Sequence, residues 1–391
     1  MPIDFDKIIA IKDRHTMKYD DMEKYVGIAA DDAIAMWVAD MDFPSADCIR
    51  DALRAEIDNG FLGYFGNAEP VAQAACDWIS RRHGWTPQPD WFHFSHGLVS
   101  GFATVLEAFS DPGDKVILFS PVYHSFFGKT RAKGREILQS PLVEKDGRYE
   151  MDLDALAASL TGQEKILVFC SPHNPGGRLW STEEIRAVAA FCETHDLILV
   201  SDEVHMDLTY PGVSHIATAV AAPEAMPRLI VLTAASKAFN IAGGETGMII
   251  IGNPKLRETY HTAHMALGGT PNRFGMIMTK AALTDGEPWL DEVRAYIAQN
   301  FRLWQDRIGA LPGVGVSDMQ ATYLSWVDFT DTGLTEDQIN QRIGSDARIA
   351  ASPGQAFGKG GELHRRFNLA MPRARLIEAI ERLEAAFADL Q

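Results

Sequence analysis

Five short apolar runs in the middle of the chain constrain its fold more than any other feature. They lie at residues 116–119, 166–169, 197–200, 229–232 and 248–251, and all four side chains in each run are apolar. An apolar run without alternation is typical of a strand that is buried on both faces, as in a parallel sheet. The sequence therefore predicts an α/β fold with a mostly parallel sheet flanked by helices.

Helical patterns connect several of these runs. Ser181 and Glu184 have the spacing of a capping box, and apolar residues follow them at helical intervals up to Cys192. Residues 97–109 carry an apolar stripe and end before Asp-Pro-Gly, which predicts a second helix. Residues 93–96, which precede this helix, are expected to form a loop. Alternating strands and helices of this kind indicate β-α-β units.

The last third of the chain has a different pattern. A long helical period covers residues 290–308, a strand-like segment follows at 323–329, and a final helix is expected from about 375 to 390. We therefore expect three parts: an N-terminal segment (1–50) that packs with a small domain, a large domain (51–285) and a small C-terminal α/β domain (286–391).

Charge and composition exclude several classes of function. The chain has 53 acidic and 36 basic residues, a net charge of -17, which disfavours binding to nucleic acid and to anionic lipid surfaces. No apolar stretch approaches the roughly 20 residues that a membrane span needs, and residues 1–18 lack the apolar core of a signal peptide. The four cysteines show no CxxC spacing, which favours the reducing cytoplasm.

Common metal and nucleotide motifs are missing as well. His93 and His96 have no third ligand at motif spacing, so no metal is expected there. The glycines at 358–361 do not fit a Walker sequence, and no GxGxxG opens a helix after a strand. Neither a metal site nor a nucleotide site is therefore predicted from motifs.

Polar side chains follow four of the apolar runs. They are Tyr123, Asn174, Asp202 with His205, and Ser236 with Lys237. Ligands of open α/β sheets bind beyond the carboxyl ends of the strands, so we expect these side chains to meet in one crevice. Desolvation there would lower the pKa of a lysine, as a Schiff-base amine requires. An aspartate nearby could keep a ring nitrogen protonated.

Six segments, in this order, resemble a known family. They are residues 36–44 (MWVADMDFP), 121–124 (PVYH), 171–177 (SPHNPGG), 201–207 (SDEVHMD), 236–243 (SKAFNIAG) and 366–370 (RFNLA). The chain resembles the fold-type I pyridoxal-phosphate enzymes of the class I/II aminotransferase group, which have the aspartate-aminotransferase-like fold. Within that group it is most similar to the MalY/PatB-type cystathionine β-lyases, also called C-S lyases.

The resemblance implies pyridoxal 5'-phosphate as cofactor and assigns its contacts. Lys237 would bind the cofactor as a Schiff base and then take the Cα proton of the substrate. Asp202 would pair with the pyridinium nitrogen. Asn174 and His205 would face the phenolic oxygen of the ring, and Tyr123 would stack on the ring.

The remaining implied contacts concern the phosphate, the substrate and a second subunit. Gly97 and Leu98, at a helix N-terminus, would bind the phosphate together with the hydroxyl of Ser236. Tyr64 resembles a tyrosine that reaches the phosphate from the neighbouring subunit, so a homodimer is implied. Lys237, Tyr123 and Tyr64 form the implied catalytic set, and Arg366 would bind the α-carboxylate of an amino-acid substrate.

One position departs from the aminotransferase pattern. Many aminotransferases have a phosphate-binding arginine eight residues after the lysine, and this chain has Glu245 there. An acid beside a dianion would repel it, so either Glu245 turns away or other donors compensate. The C-S lyase branch commonly lacks this arginine too, so Glu245 favours that branch.

Three functions remain open from the sequence. The leading hypothesis is β-elimination from cystathionine or another S-substituted cysteine, which gives a thiol, pyruvate and ammonia. An aminotransferase is the second hypothesis, and a cofactor-binding regulatory protein without catalysis is the third. No motif identifies the residues that would contact the thiol part of the substrate.

Overall fold

The computed structural model describes residues 3–145 and 147–390. Its main sheet has seven strands in the order β2-β10-β9-β8-β7-β3-β4, all parallel except β10, which runs antiparallel to both neighbours. The strands of the described chain are β1 Ile34–Ala35, β2 Phe92–His96, β3 Lys115–Ser120, β4 Glu136–Pro141, β5 Val143–Lys145, β6 Arg148–Glu150, β7 Glu164–Cys170, β8 Ile198–Asp202, β9 Leu229–Thr233, β10 Thr246–Ile250, β11 Gly315–Val316, β12 Leu324–Asp328, β13 Ile349–Ala350, β14 Ser352–Pro353 and β15 His364–Asn368.

Helices cover both faces of this sheet, as its apolar strands require. They are α1 Met17–Asp20, α2 Met22–Val26, α3 Asp47–Asn59, α4 Glu69–His83, α5 Leu98–Phe109, α6 His124–Ala132, α7 Leu153–Ser159, α8 Thr182–Thr194, α9 Thr218–Ala221, α10 Ala235–Ala238, α11 Pro254–Ala266, α12 Arg273–Asp285, α13 Glu287–Ile308, α14 Glu336–Asn340 and α15 Arg373–Ala386. Short 3-10 segments lie at Pro89–Trp91, Pro223–Ala225, Ala242–Gly244, Thr330–Thr332 and Gly354–Phe357, and a π-helical segment lies at Gln341–Asp346.

The predicted α/β fold is confirmed, and so are the five buried strands at its centre. The capping box of Ser181 and Glu184 is present at the start of α8. The loop expected at residues 93–96 is wrong, because these residues belong to β2 and pair with β10 at the edge of the sheet. Phe92 and Phe94 are buried there, but His93 and Ser95 alternate with them and His96 ends the strand, so the apolar signal was too weak to indicate a strand.

A second, four-stranded antiparallel sheet lies in the C-terminal third, with the order β11-β12-β15-β14. The N-terminal segment joins this region because β1 pairs in parallel with β13. Helix α13 connects the two parts: Trp289 and Leu290 pack in the core of the large sheet, while Phe301 and Trp304 pack in a separate core beside the small sheet. Within the described ranges, no helix is both long and apolar enough to cross a bilayer.

Candidate active site

A cavity of about 170 Å³ opens at the carboxyl ends of the central strands. Strand register explains its position, since Asp202 at the end of β8 pairs with Cys170 of β7 and with Leu232 of β9. Eight of the residues predicted from the sequence line it: Gly97, Leu98, Tyr123, Asn174, Asp202, His205, Ser236 and Lys237. Arg366 lies just outside, against Asn174, and Tyr64 lies on the surface.

Lys237 is the amine of this cavity. It lies in α10, directly after β9, and its Nζ donates a hydrogen bond to the carbonyl of Ala39 at 2.7 Å. Burial lowers the pKa of this amine, because the charged form loses its hydration. A larger fraction of neutral amine makes Lys237 a better nucleophile and base than a surface lysine.

Asp202 is the acid of the cavity. It is only 4% exposed, and the backbone N–H of Val204 donates to its Oδ1 at 3.2 Å. Burial raises the pKa of Asp202 to about 7, and the neighbouring Glu203 adds to the rise. A carboxylate held in this way is stabilised by a cationic N–H group that enters the cavity.

His205, Asn174 and Tyr123 provide the polar and aromatic groups around the same space. Burial lowers the pKa of His205 to about 3, and Lys237 adds to the effect, so the imidazole is neutral at physiological pH. The Nδ1 of His205 is buried and has no hydrogen-bond partner among the described residues. An unpartnered polar atom at this position indicates space for a polar ligand.

The N-terminus of α5 forms the anion-binding end of the cavity. Gly97 has φ 73°, a conformation that glycine adopts without strain, and it lines the cavity together with Leu98 and Val99 of the first turn of α5. The N–H of Gly97 itself donates to the carbonyl of Glu245 at 2.9 Å, so the N–H groups that follow it are the ones left for an anion. The carboxylate of Glu245 does not turn away, because a Cβ on residue 97 would collide with its Oε2. The sequence left two possibilities: either Glu245 turns away from the phosphate, or other donors compensate for its charge. The second possibility is the one that fits this structure.

Arg366 is a buried cation without an anion. Its guanidinium donates to Asn174 Oδ1 at 3.1 Å and to the carbonyl of Trp37 at 2.9 Å, and it lies over the ring of Phe357. No Asp or Glu among the described residues lies within 4.0 Å of it. Burial lowers the pKa of Arg366 to about 10, so it stays charged at pH 7. The charge is available for the carboxylate of a ligand.

The adjacent Arg365 has a different role. Arg365 and Arg366 are adjacent on β15, and both are only 2% exposed. Arg365 is paired with Glu336 at 2.7 Å and donates to Asn340. Helix α14 covers this face of β15, which the sequence pattern did not indicate.

Residues 37–43 belong to one of the quoted motifs, but the sequence indicated no role for them; they form a series of bends between the two sheets. Their carbonyls accept hydrogen bonds from both sides: Ala39 from Lys237 and from the hydroxyl of Tyr323, and Met41 and Phe43 from Asn240. The carbonyls of Val38 and Asp40 accept from Asn368. Asn240 and Asn368 lie inside the quoted motifs, and a buried amide beside apolar residues could have indicated this role.

These groups fit pyridoxal phosphate. The cavity combines a buried amine, a buried acid with a raised pKa, an unpartnered imidazole nitrogen and a helix N-terminus. Glu245 is the one group that opposes an anion at the helix end. The chemistry of the other donors matches an aldehyde, a pyridine nitrogen, a phenolic oxygen and a phosphate.

The sequence matches the family described as "Aminotransferase class I and II" over residues 32–383, and the chain belongs to this family. Cystathionine beta-lyase PatB of Bacillus subtilis is 35% identical over 391 residues, which covers 99% of this chain and 100% of PatB. Protein MalY of Escherichia coli is 28% identical and covers 96% of this chain and 97% of MalY. The predicted MalY/PatB branch is therefore confirmed.

Solved structures give the same result. Cystalysin from Treponema denticola, which contains a pyridoxal 5'-phosphate cofactor, has a TM-score of 0.95 and 33% identity, and the match covers 100% of both chains. The PLP-bound C-S lyase from Staphylococcus hominis has a TM-score of 0.91 and 31% identity, covering 100% of this chain and 99% of the other.

Proposed function

We propose that this protein is a pyridoxal-phosphate-dependent C-S β-lyase that cleaves cystathionine or another S-substituted cysteine to a thiol, pyruvate and ammonia. The observation that carries the proposal is the pair of buried titratable groups, Lys237 and Asp202, facing one cavity. The names of PatB and of the C-S lyase structure support this reaction over others of the family.

The predicted residues around the cavity would each contact the cofactor. Asp202 would hold a proton on the pyridine nitrogen, and Asn174 and His205 would face the phenolic oxygen. Tyr123 would cover the ring, while Leu98 and Ser236 would bind the phosphate beside Gly97, whose own N–H donates to the carbonyl of Glu245. When bound, pyridoxal phosphate supplies an electron sink for the bonds at the substrate Cα.

Lys237 and Arg366 would act on the substrate itself. Arg366 would hold the α-carboxylate, which fixes the direction of the Cα–H bond. The Nζ of Lys237 would accept the Cα proton, and the C–S bond would then break with the electron pair leaving on sulfur. A proton completes the thiol, and addition of water yields pyruvate and ammonia.

Product stoichiometry tests this reaction. We expect purified enzyme with cystathionine to give pyruvate and homocysteine in equal amounts, because one elimination releases one of each. The measurement is pyruvate by a coupled assay and thiol by a colorimetric reagent in the same sample. Pyruvate without thiol, or neither product from any S-substituted cysteine, would contradict the proposal, and the second result would favour a regulatory protein.

A homodimer with shared active sites is part of the proposal. Tyr64 is fully exposed in the single chain, and the exposed apolar residues Ile57, Phe61 and Leu62 precede it. An exposed apolar segment of this kind is typical of a protein–protein interface. A second copy of the chain would bury it and would place Tyr64 at the phosphate of its partner's site.

Mixed dimers test the sharing of residues. Tyr64→Ala and Lys237→Ala homodimers are both expected to be nearly inactive. After the subunits are exchanged, about half of the dimers are mixed, and each mixed dimer has one intact site, so about a quarter of wild-type activity should return. Mass spectrometry verifies that the subunits have exchanged. If activity does not return in the exchanged sample, Tyr64 acts in its own chain or not at all.

Glu245 provides a test of the phosphate site. Glu245→Gln is expected to tighten pyridoxal-phosphate binding by about five- to tenfold, because it removes a like charge near the dianion in a partly solvated position. The measurement is the dissociation constant from titration of the apoenzyme, followed by absorbance. Glu258→Gln, at an exposed site on α11, is the control and should change nothing. Weaker binding in Glu245→Gln would show that Glu245 stabilises the site.

We also propose a division of the chain into three parts and a cellular location for the protein. The parts are residues 1–50, 51–285 and 286–391, and they are supported by the β1–β13 pairing and by the separate cores that α13 connects. A cytoplasmic location is supported by four free cysteines, three of them buried.

A further inference from the structure

Three potential metal ligands meet at a point outside the active site. Glu144, Asp328 and His364 each direct one ligand atom into a space where all three atoms lie within 4.8 Å of one another. Glu144 lies on β5, in the hairpin that follows the large sheet, whereas Asp328 and His364 are register partners on β12 and β15 of the small sheet. The three residues are far apart in the sequence, so no motif spacing marks them.

His364 is oriented as a metal ligand would be. It is 8% exposed, its ring stacks on Trp326 with centroids 5.0 Å apart, and its Nδ1 lies 2.7 Å from the carbonyl of Glu362. The Nδ1–H therefore donates to that carbonyl, and Nε2 is the ring nitrogen that faces the carboxylates. Histidine ligands of metals almost always donate their other N–H in this way.

The Nε2 atom faces carboxylates and has no hydrogen-bond partner among the described residues. Asp328 Oδ1 lies 3.6 Å away, beyond hydrogen-bonding distance. Asp328 is itself fixed, because Thr330 donates to the same oxygen from its backbone N–H at 2.8 Å and from its hydroxyl at 2.5 Å. The Nε2 atom of His364 and the anchored carboxylate of Asp328 therefore face each other at a separation that a bound cation could bridge.

The two carboxylates also lack a basic partner. In the described ranges, no Lys or Arg nitrogen lies within 4.0 Å of the carboxylates of Glu144 or Asp328, and the imidazole of His364 lies 3.6 Å from Asp328. Like charges that converge without a counter-ion raise the free energy of the folded state. The cluster therefore offers three ligand atoms to a cation that the side chains do not supply.

We infer that Glu144, Asp328 and His364 form a binding site for a divalent transition-metal ion of the Zn²⁺, Co²⁺ or Ni²⁺ class. One imidazole nitrogen with two carboxylates favours these ions over Mg²⁺ and Ca²⁺, which prefer oxygen ligands alone. Water completes the coordination at the exposed side of Glu144. The inference does not depend on the proposed lyase reaction.

Such an ion would join the two parts of the molecule. The hairpin β5–β6 already contacts the small sheet through Trp326, whose Nε1 donates to the hydroxyl of Tyr149 at 2.9 Å. A metal held by Glu144 on one side and by Asp328 and His364 on the other adds a second link. Binding is therefore expected to raise the melting temperature of the whole chain.

The test uses holoenzyme that has been treated with EDTA and then desalted. We expect isothermal titration with ZnCl₂ to show one ion per chain with a dissociation constant below about 10 µM. Glu144→Gln and His364→Gln should each weaken binding by about tenfold or more. Glu150→Gln removes a carboxylate from the same hairpin, outside the cluster, and should bind Zn²⁺ like the wild type.

Circular dichroism and the cofactor absorbance show whether each variant folds. Glu144→Gln is the decisive variant, because the side chain of Glu144 is exposed and its replacement is expected to leave the fold intact. Cobalt supplies a second measurement: Co²⁺-loaded wild type should show visible d–d bands that Glu144→Gln lacks. No stoichiometric Zn²⁺ binding in the wild type overturns the inference. Wild-type affinity in either Glu144→Gln or His364→Gln also overturns it.

Discussion

Lys237→Ala is expected to abolish turnover and to remove the visible absorption band of the bound cofactor. The buried amine, 2.7 Å from the carbonyl of Ala39, is the group that would attach the cofactor and accept the Cα proton. Losing both roles should lower kcat/KM by at least about 10⁴-fold. Lys237→Arg should be equally inactive, since a guanidinium stays protonated at any usable pH.

The measurement combines an absorbance spectrum with kcat/KM for cystathionine. Lys255→Ala removes an exposed lysine at the start of α11 and is the control, with wild-type spectrum and activity expected. An unchanged band in Lys237→Ala would show that another group binds the cofactor. The assignment of Lys237 would then be wrong, whatever the activity.

Asp202→Asn is expected to change activity and stability in opposite directions. Activity should fall by at least about 10²-fold, because a neutral amide cannot stabilise a protonated pyridine nitrogen. The apoenzyme should become more stable at pH 8, because burial raises the pKa of Asp202 to about 7 and ionised Asp202 destabilises the folded state.

The sign of the pH dependence follows from that pKa. Below about pH 3, under the ordinary pKa of an aspartate, Asp202 is protonated in both the folded and the unfolded state, and the variant gains little. As the pH rises from about 4 to 7, Asp202 ionises in the unfolded chain but stays protonated in most folded molecules, so the free energy of unfolding falls. Above pH 7 Asp202 is ionised in both states, and the loss of stability reaches its full value, roughly 4 kcal/mol for about three pKa units.

Urea unfolding of both apoproteins at pH 5 and pH 8 measures this difference. The neighbouring acid provides a matched control: burial opposes ionisation of Glu203, but hydrogen bonding to His215 outweighs it and lowers its pKa. Glu203→Gln should therefore destabilise the apoenzyme at both pH values. An Asp202→Asn apoenzyme less stable than the wild type at pH 8 would mean that Asp202 is not an isolated buried charge.

The central sheet and the contents of the cavity could be predicted because both depend on local signals. An apolar run predicts a buried strand, and parallel strands bring the residues after them to one edge. Thus Asn174, Asp202 and Lys237 were predicted to meet, and they line one cavity.

Contacts between distant segments could not be predicted in the same way. The carbonyl of Ala39 accepts from Lys237 across 198 positions, and no periodicity encodes such a pair. The orientation of Glu245 depends on the backbone turn at Gly97, and the burial of Arg365 depends on α14 lying across β15. A residue supplied by a second chain, as proposed for Tyr64, leaves no signal in the pattern of one chain.

Thiol release without any keto acid tests the central claim most directly. An aminotransferase needs a keto-acid acceptor to regenerate its cofactor, whereas a lyase regenerates it in each cycle. We therefore expect enzyme incubated with cystathionine alone to release homocysteine linearly over many turnovers, with the cofactor band unchanged at the end. If the band instead shifts once, no thiol appears and turnover resumes only when a keto acid is added, the protein is an aminotransferase and the lyase proposal is wrong.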